Sequence, residues 1–144
     1  MSRHRLLASI STAQLSLNVA GLVLALRRRH AFDVSFMHGN PARIGSQSIV
    51  FGTALSAPAT LLIAQASASI QLTQRPHRAA TRLLHAIGAT YVAGYLAERH
   101  VRRRLSRSGW DPVESPLLIA ALSLSIAMLC LPNEDPTVRP NLDL

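Results

Sequence analysis

The chain is 144 residues long and carries 15 arginines, no lysine and a formal net charge of +8. Aromatic residues make up only 4% of it, too few bulky fillers for a soluble core of this length, and its single cysteine excludes an internal disulfide or a thiolate metal cluster. The arginines flank apolar blocks instead of lining one polar face, a distribution that points to lipid headgroups and membrane topology and away from nucleic acid.

The blocks predict an all-α fold, a polytopic membrane protein built as a four-transmembrane-helix bundle of two helical hairpins. One domain covers residues 1–132, with helices over 6–26, 49–72, 79–98 and 116–131, and residues 133–144 form a disordered acidic tail. The first block rises about 31 Å as a helix, enough to cross a hydrocarbon core of roughly 30 Å. It lacks a small-x-small cleavage site and runs into Arg27, Arg28 and Arg29, so it is expected to stay as an uncleaved span. Ser11, Gln14, Asn18 and Gly21 recur on one stripe of it. Amides in lipid are costly unless bonded, so this stripe either holds helices together or contacts a ligand; Gln14 and Asn18 are the ligand-binding candidates.

The first loop, 27–48, is the longest polar segment and contains His30, Asp33, His38 and Arg43. Its middle, 32–38, alternates like a short strand or an interfacial segment. In the second block Pro58 is expected to kink a helix near its middle, while Gly52 with Ser56 and Ala64 with Ala68 allow close approach to a neighbour.

The third block carries Gly88, Tyr91, Tyr95, Glu98 and Arg102 along one face and Ala86, Ala89, Ala93 and Ala97 along the opposite one. The alanine face is the expected packing surface, which leaves the tyrosine face for a cavity, a partner or the interface. His85 lies beside the tyrosine stripe; an imidazole at that depth is a functional candidate, or else bonds to an amide of the first helix such as Gln14. Glu98 and Arg102 have the spacing of an ordinary helical ion pair.

The third loop adds Arg99, His100, an arginine cluster and Trp110, an expected interface aromatic. Ser115 before Pro116 reads as the cap of the last helix, and Cys130 as a small packing residue within it. Nine arginines fall in the first and third loops (Arg27, Arg28, Arg29, Arg43; Arg99, Arg102, Arg103, Arg104, Arg107) against six elsewhere. That bias predicts both loops cytoplasmic and both termini outside.

Four spans put the first and third loops on one side of the membrane. There His38 or His100 is a candidate acid or base, Asp33 or Glu98 its carboxylate partner, and Tyr95 a hydrogen-bond donor, with His85 deeper in the same helix. Tyr91, Arg43 and Arg99 complete the ligand-binding candidates, the arginines for an anionic headgroup or phosphate. His30, Asp33 and His38, perhaps joined by His100, match no tight metal-ligand spacing, and no phosphate loop, dinucleotide fingerprint or nucleophile elbow occurs, so no metal or cofactor is assigned. The size and four-helix plan are similar to those of small bacterial membrane families, with no motif residue tying the chain to any one of them. The expected function is binding of a lipid, a lipophilic small molecule, a second copy or a partner membrane protein. The alternative is a small integral membrane enzyme that acts on a lipophilic substrate by His/Glu/Tyr acid-base chemistry.

Overall fold

The computed structural model describes residues 2–28, 33–34, 37–38 and 58–132, with the side chain of Leu26 left out. In chain order these form helix α1 (Arg3–Arg28), strands β1 (Asp33–Val34) and β2 (Met37–His38), helices α2 (Ala59–Gln74), α3 (Arg78–Ala97) and α4 (Arg99–Arg104), a 3₁₀ turn (Arg107–Gly109) and helix α5 (Glu114–Cys130). Among the described residues the regular structure is helical apart from the small β1–β2 ladder, where Asp33 stands opposite His38 and Val34 opposite Met37. Arg43, Gly52, Ser56 and the tail 133–144 lie outside the described residues, as do the side chains of Asp33 and His38.

Local chemistry explains the boundaries. Pro58 does not kink a helix; with ψ at 142° it is extended and stands immediately before α2, and its carbonyl accepts from the amides of Leu61 and Leu62. His77 caps α3, its Nδ1 accepting from the Ala80 amide at 3.1 Å. Glu98 leaves the helical region (φ −73°, ψ 121°) and separates α3 from α4, so the third helix ends at Ala97.

The last helix is capped by Asp111, one turn earlier than Ser115. Asp111 Oδ1 accepts from the amides of Val113 (2.9 Å) and Glu114 (2.8 Å), with Pro112 where a first-turn proline belongs. The Ser115 hydroxyl turns back instead, accepting from the Asp111 amide and donating to the Arg104 carbonyl.

The four long helices pack as a ring: α1 lies between α2 and α5, α3 faces α1 across the middle, and it also touches α2 and α5. Contacts between residues 14 and 125 and between 28 and 114 run α1 antiparallel to α5. The three-residue α2–α3 link makes those two an antiparallel hairpin. The two faces of α3 are the reverse of the sequence expectation. Leu84, Ile87, Gly88, Tyr91 and Tyr95 are buried, whereas Ala86, Ala89, Ala93 and Ala97 are exposed. The reason is Gly88, where a side chain would meet the Ser125 carbonyl at 3.0 Å and Met128 Cβ at 3.1 Å; its missing Cβ lets α5 approach the tyrosine face. Cys130 is likewise exposed, not packed.

Polarity runs inside out. Ser11, Gln14, Asn18, Gln65 and Ser125 are fully buried, while Val19, Ile63, Ile70, Leu83, Leu96, Ile119 and Ile126 stand exposed around the outside of all four long helices. Among the described residues one helix, α1, is both long and apolar enough to cross a membrane by itself; α5 is apolar but shorter.

Candidate functional site

The structure offers two polar centres, one inside the ring and one at its end. Inside, α1 supplies Ser11, Gln14 and Asn18 at successive turns, and each meets a different helix. Ser11 is bonded by α2: Gln65 Nε2 donates to its carbonyl at 2.9 Å and its hydroxyl at 3.2 Å, and the Ser69 hydroxyl donates to the same oxygen at 2.8 Å. Gln14 Nε2 donates to Ser125 Oγ on α5 at 2.7 Å. From α3, Tyr91 donates to Gln65 Oε1 and Tyr95 to Asn18 Oδ1, each at 2.8 Å. Every helix of the ring is therefore stitched to another by a side chain it could not bury alone. Gln14 Oε1 and Asn18 Nδ2 keep no partner among the described residues.

Three of the ligand-binding candidates, Gln14, Asn18 and Tyr91, thus come together in the core with Tyr95. His85 does not join them: its Nε2 is buried without a hydrogen-bond partner among the described residues, and Gln14, the amide suggested for it, gives its Nε2 to Ser125 instead.

At the end of the ring the organising group is Glu114, fully buried in the first turn of α5. Its Oε1 accepts from Arg28 Nη1 at 2.6 Å; its Oε2 accepts from Arg104 Nε at 2.7 Å and His100 Nε2 at 2.9 Å. Arg28 also reaches Asp111 at 3.2 Å, so the end of α1 is tied to the start of α5 and to α4 through two carboxylates. The backbone amides of Glu114 and Val113, with help from Arg28, hold the Asp111 carboxyl down to about 2. Behind the cluster Gly109 packs on Arg103, where any side chain would collide with the Arg103 carbonyl, and the Gly109 carbonyl accepts from Arg104 Nη1.

The remaining candidates group around this end. Glu98 is buried at the α3–α4 bend; Arg102, four residues on, gives Nη1 to the carbonyls of Leu96 and Ala97, closing the end of α3. Arg99 is exposed. Strand β1, which contains Asp33, runs beside α4, the helix that carries His100 and the arginine cluster. Glu114, the hub of this centre, is not among the sequence candidates, where it falls in the third loop ahead of the last helix; its spacing of three from Asp111, across Pro112, is the signal available. No group of three or more His, Cys, Asp or Glu suited to a metal ion occurs among the described residues. No family model, curated protein or solved structure matches the chain.

Proposed function

We propose that this is a small integral membrane protein, a four-helix bundle that crosses the bilayer four times and acts by binding lipid or another lipophilic partner. The observation that carries the proposal is the inverted polarity: Gln65 has no exposed surface while Ile63, two residues away on the same helix, is 68% exposed. In water that arrangement wastes apolar burial and hides amides; in hydrocarbon both choices are favourable. At 1.5 Å per residue α1 reaches about 39 Å and α3 about 30 Å, and α5, at about 26 Å, spans with modest thinning or with help from its flanks. The arginine-rich end would lie in the cytoplasmic leaflet, by the arginine bias of the loops.

A second reading, an enzyme using acid-base chemistry at the arginine-rich end, draws support from the 2.9 Å His100–Glu114 contact and from β1 lying beside α4. The first experiment is topological. Reporter fusions at Ser46 and Ser106 are expected on one side of a membrane that retains the protein through alkaline carbonate; opposite sides, or release by carbonate, overturn the four-span bundle. Purification in mild detergent with mass spectrometry of retained molecules then separates the two functions. Retained phospholipid supports binding. A retained non-lipid substrate whose turnover is lost in His100→Asn supports catalysis.

A further inference from the structure

We infer that the α1–α4–α5 end of the bundle is a built site for the phosphate of an anionic phospholipid headgroup, an inference that rests on the membrane reading above. The guanidinium groups of Arg28 and Arg104 are fixed by Glu114, but neither is used up. Arg28 spends only Nη1 on its two carboxylates, and Arg104 spends Nε and Nη1. Each keeps Nη2 without a bond among the described residues, on side chains that are 34% and 25% exposed. Because a buried carboxylate holds both groups in place, an incoming phosphate meets donors that have already lost their rotamer freedom.

On the same two helices, Arg27 (α1) and Arg99 and Arg103 (α4) are exposed and have no side-chain bond among the described residues. In the short segment between Arg104 and Glu114, the carboxylate that clamps it, come Trp110, 54% exposed, and Val113, 51% exposed. An indole next to a basic cluster where spanning helices end is the arrangement that seats at the headgroup boundary, its ring against acyl chains and the arginines against phosphate. Inorganic phosphate shares the anion chemistry but offers nothing to Trp110 and Val113, so the site is assigned to the lipid.

Trp110 is the only tryptophan in the chain, so its fluorescence reports this site alone. The full-length protein is reconstituted in vesicles whose phosphatidylcholine or phosphatidylglycerol is brominated high in the acyl chain. Brominated phosphatidylglycerol is expected to quench Trp110 as though enriched about fivefold or more over phosphatidylcholine, a factor of the size one basic side chain supplies at an anionic surface. The preference should collapse in the double variant Arg28→Gln/Arg104→Gln. It should also fall in Glu114→Gln, although that change makes the protein more positive.

A preference that rises in Glu114→Gln means diffuse charge attraction and overturns the built site, as does equal quenching by the two lipids. Loss of the preference on adding millimolar inorganic phosphate at constant ionic strength means a soluble anion is the ligand and overturns the assignment to lipid. Quenching by neither lipid refutes the membrane reading itself, and this inference with it. Should the cluster variants fail to fold, Arg99→Gln/Arg103→Gln changes only exposed side chains; it is expected to weaken the preference, and an unchanged preference overturns the proposal.

Discussion

The bond from Tyr91 to Gln65 is the best place to test whether the inner polar layer holds the ring together. Tyr91→Phe removes one oxygen and keeps the ring, so no cavity forms, but it strands Gln65 Oε1 at a position with no exposed surface. In a water-soluble protein a stranded buried acceptor costs about 1–3 kcal/mol. Between membrane helices the corresponding cycles average about 0.6 kcal/mol and reach about 1.7 kcal/mol, because the unfolded chain in lipid also finds partners. On the membrane reading proposed above, a 2.8 Å bond with both groups buried puts the expected loss in the upper part of that range, about 1–1.7 kcal/mol. Gln65→Leu should cost more, since it also withdraws the amide from Ser11 and strands the tyrosine hydroxyl. The double variant leaves neither member of the pair stranded and should be less damaged than the two losses added, with a coupling of about 0.5–1.5 kcal/mol. The assay is reversible unfolding in mixed micelles on raising the dodecyl sulfate fraction, followed by helical circular dichroism. Additivity within about 0.3 kcal/mol would show that the two side chains are neighbours without being partners, and the stitching argument would fail.

Three further outcomes follow from the packing. Gly88→Val should destabilise the bundle by about 1–3 kcal/mol through overpacking against Ser125 and Met128, whereas Ala93→Leu on the exposed face should stay within about 0.5 kcal/mol in the same unfolding assay; the opposite order would mean that the alanine face packs after all. Asp111→Ala removes the α5 cap and should lower stability by the same measurement. Because the folded Asp111 carboxyl lies below its ordinary 3.8, its contribution is complete above that value and is lost as pH falls towards 2; the acid limb of a pH–stability curve between 4 and 2 should flatten in Asp111→Ala. Gly109→Ala should displace the turn against Arg103 and loosen the Arg104 contact, read as accelerated amide exchange in residues 104–115.

How far the sequence carried depended on whether a feature was periodic or relational. The polar stripe of α1 is periodic, and its burial followed from the cost of amides in an apolar setting. The inversion of α3 is relational: alanine rows and tyrosine rows are both plausible packing surfaces, and the choice was made by a single glycine whose neighbour, α5, lies some forty residues on. The apolar run that continues across Pro58 points to a mid-helix position, yet proline is better tolerated at a helix start. Glu114 was overlooked because a lone acid before an apolar run resembles routine dipole compensation; what makes it a hub is the return of α1 and α4 to the same point, which no local window contains.

The stitching of α1 has a consequence for how the chain is made. Ser11, Gln14 and Asn18 leave the ribosome early, but their partners lie 54, 111 and 77 residues further along. At about 5–20 residues per second, Gln14 waits about 5–20 s before Ser125 has even been synthesised. Ser11 and Asn18 gain Gln65 and Tyr95 sooner, so Gln14 is the side chain that waits for the last helix; on the membrane reading proposed above, its amide would keep the first helix from settling in lipid until that helix arrives. In that reading the final helix is the one that releases the first.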